Sequence, residues 1–122
     1  MPVIIIDLLV QWSDLEPQRC AITRAGIGST VFDLRFTSVE VEHSLDLNPV
    51  IAAIVQSAVQ RAITARQLRF SLVNANEYHV SLMEFEGSAI AWRCKTEHAE
   101  PAIALLEAYL RWLEREGSPC QS

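Results

Sequence analysis

Glu40-Val41-Glu42-His43 is the densest run of side chains able to do chemistry in this chain. On a strand, Glu40 and Glu42 share one face with His43 close by, which is half of a metal site or an acid–base pair. No further ligand is identifiable beside them, and charges in this pattern ordinarily face solvent along an edge strand. They are read as solvated, and no metal is expected. Cys94 and His98 stand at Cys-x3-His spacing, but structural zinc takes four ligands, usually in two close pairs, and only Cys120 is left to join them.

His79 is expected on the strand face opposite Tyr78 and Val80, near Ser81 and Asp33 or Arg35. A histidine in a pocket can act as a base. His79 and Asp33 are therefore the catalytic candidates, and Arg35 and His79 the ligand-binding ones. The competing reading is a histidine that is exposed or paired across strands. Gly26-x-Gly28 does not open a helix, as a dinucleotide-binding loop must. There is no Walker motif, no Gly-x-Ser-x-Gly elbow and no His-Glu-x-x-His. Nothing orders Ser, His and Asp into a nucleophilic triad. No cofactor is expected, and the chain reads as more suited to binding than to catalysis.

Phe32, Arg35, Phe36, Arg69 and Phe70 mix aromatic and basic residues as a single-strand nucleic-acid binder would. On strands, however, these phenylalanines and arginines alternate and point to opposite faces, so the phenylalanines are read as core. The net charge of −5 is spread over both halves. Residues 1–67 carry seven acidic against five basic groups, and residues 68–122 eight against five. Affinity for nucleic acid comes largely from neutralised phosphates, so this balance argues against that partner. Lys95 is the only lysine beside nine arginines.

The elements that must position these groups follow from periodicity. Apolar residues at Ile4, Ile6, Leu8, Val10 and Trp12 predict a first strand over about Val3 to Trp12. Asp14, Glu16 and Pro17 then mark a loop. A second strand is expected over about Arg19 to Ala25 and a third over about Thr30 to His43. In the third, the apolar parity changes from Phe32, Leu34 and Phe36 to Val39 and Val41, which predicts an irregularity near Thr37. Asn48-Pro49 is a helix start. The helix runs to about Gln67 and buries Ile51, Ile54, Val55, Ala58, Val59 and Ala62.

A meander of strands at about Leu68–Val73, Glu77–Phe85 and Ser88–Lys95 follows, and then a second helix over about Pro101 to Glu116. The apolar residues of this helix span about 180°, wider than the roughly 100° that one sheet face requires. Leu105, Tyr109 and Trp112 thus form a second edge. Contact with a sheet rim or the first helix would cover it. A dimer or partner interface would do so as well, since aromatic residues are enriched at interface cores.

The expected fold is one α+β domain over residues 1–117, followed by a tail over 118–122. It is an antiparallel sheet of five or six strands with two helices on one face, in the order βββα-βββα. Cys20 and Cys94 are read as buried hydrophobes, and Cys120 as an exposed tail residue. No apolar run approaches a membrane span or a signal peptide, which predicts a cytoplasmic protein. The expected function is a small non-enzymatic interaction protein, homodimeric through Leu105, Tyr109 and Trp112. The alternative is a small-ligand-binding domain or enzyme with a pocket between sheet and helices.

Overall fold

A helix with apolar residues around half its circumference needs neighbours on more than one side, and α3 (Pro101–Glu114) has them. In the computed structural model, which describes residues 5–43 and 48–115, one side of α3 packs on β5 (Tyr78–Glu86) and β6 (Ala89–His98). Its other sides meet α1 (Ile5–Leu15) and α2 (Pro49–Ala65). The remaining strands are β1 (Ala21–Ala25), β2 (Ser29–Asp33), β3 (Ser38–Glu42) and β4 (Arg69–Asn74). The fold is mixed α+β, and the unit βββα occurs twice, preceded by α1. The expected single sheet is corrected to two antiparallel three-stranded sheets, β1-β2-β3 and β4-β5-β6, and the expected two helices to three.

The added helix replaces the expected first strand. The run around Ile5 to Trp12 is apolar at both periods, and alternation alone cannot separate them. Ile5, Leu8, Leu9 and Trp12 recur at helical spacing, and all four are buried. What decides in favour of a helix is the edge of α3 that needs covering. Leu105 and Tyr109 are 0 % exposed and Trp112 is 7 % exposed. Trp12 meets the Tyr109 ring edge to face, with centroids 6.0 Å apart, and Tyr109 stacks on Trp112 at 6.1 Å. The expected partner interface is thus corrected: in the folded chain these three side chains are core. Self-association would need another surface.

The parity change near Thr37 has a simpler cause than a bulge: the expected third strand is two strands. The chain reverses after Asp33, which pairs with Ser38, and the Leu34 amide donates to the Thr37 carbonyl at 2.8 Å. Phe32, Val39 and Val41 face inward, with Leu34 buried at the mouth of the turn. The bulge that does occur in this sheet lies in β1, between Ile22 and Arg24.

α2 begins as the sequence indicates. Asn48 Oδ1 accepts from the Val50 amide at 2.8 Å, and Pro49 occupies the first turn. Its end carries a Schellman motif with Gln67 at φ 59°: the Gln67 amide donates to Thr64 O and the Leu68 amide to Ile63 O. The buried stripe of α2 is Ala52, Val55, Val59, Ala62 and Ile63. Ile54 and Ala58, expected within that stripe, are only partly buried, because they lie toward the β2–β3 turn.

Glu16 ties the three helices together. It was expected in a loop, yet its side chain is 1 % exposed. Its carboxylate accepts from Trp12 Nε1 at 3.0 Å and from the Tyr109 hydroxyl at 2.8 Å. Arg66, just past α2, donates to its other oxygen, and Arg19 stands 3.7 Å away. Burial, and then the hydrogen bond to Glu16, push the Tyr109 phenol above its ordinary pKa. The same carboxylate raises the Arg66 guanidinium further. Glu84 accepts from Arg115 at 3.3 Å and from Trp112 Nε1 at 3.2 Å; Arg115 above all lowers its pKa. Cys20 and Cys94 are buried as expected. Burial, with Asp33 nearby, pushes the Cys20 thiol up to about 12. No helix of the described residues is long and apolar enough to cross a membrane. The expected tail and Cys120 lie outside the described residues.

Candidate functional site

The β2–β3 turn spans Leu34 to Thr37 and displays two side chains. Leu34 anchors it, Asp33 Oδ1 caps it by accepting from the Arg35 amide at 3.0 Å, and Arg35 takes φ 80°. For a side chain larger than glycine, that left-handed conformation costs on the order of 1 kcal/mol. Asp33 thus serves the turn. The backbone rotation lets Arg35 and Phe36 stand together. They do not alternate across a sheet, because they are not on a strand. Phe36 is 67 % exposed, which corrects the reading of this phenylalanine as core.

Arginines collect around that ring. The Arg35 guanidinium lies 5.5 Å from the Phe36 centroid and that of Arg61, on the outer side of α2, lies 5.0 Å away. Both distances are in cation–π range. Arg19, Arg35, Arg61 and Phe36 line a hollow of about 530 Å³. Beyond Phe36 and Arg61 a second hollow of about 400 Å³ continues between the turn and α2. Its floor is apolar, made of Leu34, Ala53, Ile54 and Ala58, with Ser57 and Thr37 at the sides. The two share Phe36 and Arg61 and form one groove, positively charged at one end and apolar at the other. Among the described residues no carboxylate lies within ion-pair distance of Arg35 or Arg61.

The other sequence candidates lie elsewhere. His79 is on β5, in the second sheet, with Nδ1 3.2 Å from Glu97 of β6. It lines a separate pocket that contains neither Asp33 nor Arg35. The three residues named for one site are thus divided between two places. Glu40 accepts from Ser29 Oγ at 2.8 Å and pairs with Arg24, while His43 Nε2 lies 2.9 Å from Thr30 Oγ1. His98 Nδ1 accepts from the Glu100 amide, and Cys94 lies 3.6 Å from an Arg111 guanidinium nitrogen. Sequence reading missed Arg61 and Arg19 as companions of Phe36. The available signal was the parity change at Thr37, which, read as a turn, would have exposed Phe36.

Compared with protein-family models, with curated proteins and with solved structures, the chain matches none.

Proposed function

We propose that this protein is a non-catalytic interaction module that holds a short acidic segment of a partner polypeptide in the Phe36 groove. The observation that supports this reading is the convergence of Arg35 and Arg61 on an exposed phenylalanine beside an apolar floor, with Arg19 lining the same hollow. Guanidinium groups offer planar forks to carboxylates. Arginine and aromatic residues supply most binding energy at protein interfaces when they flank a desolvated pocket. An aliphatic or aromatic side chain of the segment would enter beside Ile54 and Ala58 while its carboxylates meet the arginines.

A nucleic-acid strand would also stack on Phe36, but a chain of net charge −5 repels a polyanion at longer range. A groove with an apolar half suits a mixed acidic and apolar peptide better. The test is fluorescence anisotropy with a labelled peptide of alternating glutamate and leucine. A lysine–leucine peptide and an oligothymidylate of similar length serve as comparisons. The acidic peptide is expected to bind, and Arg61→Glu to abolish binding while the circular dichroism spectrum stays unchanged. Tighter binding of the oligothymidylate would assign the groove to nucleic acid instead. Self-association of the unliganded protein that Arg61→Glu abolishes would make a second copy the occupant. Equal binding of the acidic and basic peptides would refute the reading.

A further inference from the structure

The second sheet carries a different arrangement on the face turned away from α3. Val80, Leu82, Cys94 and Thr96 point toward the helix and are buried. Their neighbours therefore point outward. In cross-strand register these outward residues form two adjacent rows. Ser71, Ser81 and Lys95 lie opposite one another, and so do Val73, His79 and Glu97. Both rows contribute to a pocket of about 630 Å³ that spans all three strands; Val80 and Thr96 also line it, as do Glu107 and Arg111 of α3 at the edge strand β6, where Arg111 reaches the Lys95 carbonyl.

The two rows differ in charge character. The first offers two hydroxyls and the ammonium of Lys95, the only lysine of the chain. Among the described residues, no carboxylate lies within ion-pair distance of Lys95. Arg111 donates to the Lys95 carbonyl at 3.2 Å, bringing a second cation to the same end. The second row offers the Glu97 carboxylate, with His79 3.2 Å from it. Lys95 and Glu97 are two residues apart on one face of β6, which separates their Cα atoms by about 6.5 Å. Lys95 and Arg111 balance Glu97 and Glu107 in formal charge.

We infer that this pocket binds a small zwitterion with its two charges separated by a short carbon chain, an amino acid in chemical class. Its carboxylate would lie along Ser71, Ser81 and Lys95, and its ammonium at Glu97. A simple anion would meet the cations but leave Glu97 facing it, and a simple cation would have the opposite difficulty. A ligand carrying both charges matches both rows. The inference rests on the second sheet with α3 and is independent of the groove at Phe36.

The single lysine makes the test direct. Reductive methylation with ¹³C-formaldehyde labels Lys95 and the N-terminal amine, and it keeps the lysine charge. The Lys95 dimethyl resonance is then followed while β-alanine, 4-aminobutyrate and 6-aminohexanoate are added in turn. Butyrate and butylamine serve as single-charge comparisons. A saturable shift with at least one amino acid is expected, about tenfold tighter than with either comparison. Glu97→Gln should weaken it toward the affinity of butyrate, with the rest of the spectrum unchanged because Glu97 is exposed. The inference would be overturned if none of the three amino acids bound more tightly than butyrate and butylamine, or if none of them gave a saturable shift.

Discussion

Two groups of arginines in this molecule have opposite circumstances. Arg66 and Arg19 meet the buried carboxylate of Glu16, and Arg115 meets Glu84. The Arg66 and Arg115 guanidinium groups also lie over the Trp112 ring, at 5.4 Å and 4.2 Å. At the β2–β3 turn, Arg35 and Arg61 lie over the Phe36 ring at similar distances, but the described residues place no carboxylate beside them. The cation–aromatic chemistry is shared, and the difference lies in what completes it. In the first region a carboxylate from the same chain closes the network, so the arginines hold helices together. In the second the network is open to whatever supplies the carboxylate.

The largest expected effect breaks the closed network. Glu16→Ala leaves the buried Tyr109 hydroxyl and Trp12 indole without their acceptor, which costs about 1–3 kcal/mol for a buried unsatisfied group, while the exposed Arg66 can be hydrated instead. Chemical denaturation should show that loss of stability; a change below about 1 kcal/mol would mean that the network contributes little. Reversing the charge in the open group should leave stability nearly unchanged. Arg61→Glu is expected to alter unfolding free energy by less than about 0.5 kcal/mol. Its expected cost in acidic-peptide affinity is tenfold or more, about 1.4 kcal/mol, measured by anisotropy.

The closed side also has a pH signature. Cys20 is raised from 9.0 to about 12, and Tyr109 is raised as well. Both groups hold their protons in the folded chain beyond the pH at which the unfolded chain releases them. Their contribution to stability is complete below about pH 9 and is lost as pH rises toward 12. Once the unfolded thiol has ionised, the slope approaches about 1.4 kcal/mol per pH unit for each such group. Denaturation midpoints measured from pH 8 to 11 should fall accordingly. Cys20→Ser should flatten the early part of that fall, and an unchanged profile would remove Cys20 from the explanation.

The smallest effect sharpens the comparison. Arg35→Gly relieves the left-handed backbone at the turn and is expected to stabilise the fold by about 0.5–1 kcal/mol. It should weaken peptide binding at the same time. Stability and binding moving in opposite directions would mark Arg35 as retained for the open group. A variant that is less stable and still binds would instead make the arginine a structural part of the turn.

Much of the fold was legible where one local signal had one solution. Asn48-Pro49 set the start of α2, and the breaks between Val73 and Glu77 and between Phe85 and Ser88 separated the strands of the meander. The run at Ile5–Trp12 was not legible, because its apolar residues satisfy both strand and helix periods. The turn at Leu34–Thr37 left only an indirect trace in parity, since it contains neither glycine nor proline. The groove was hidden for the same reason: Phe36 is core if Leu34–Thr37 is a strand and surface if it is a turn. Glu16 gave no sign of burial, because a carboxylate in a stretch with Asp14 and Pro17 reads as a loop until its partners Tyr109 and Arg66 are known.

The sequence by itself determined the second βββα unit with its meander, the starts of α2 and α3, and the excess apolar width of α3. These follow from residue periodicity, caps and turns, which act over a few positions. Only the tertiary structure decided that Trp12 of α1 packs on Tyr109 and that Arg66 lies over Trp112. It alone decided that Glu16 is buried, and that Arg35 and Arg61 meet at Phe36. Those outcomes join residues tens of positions apart, and they depend on which surfaces remain to be buried once the local elements have formed.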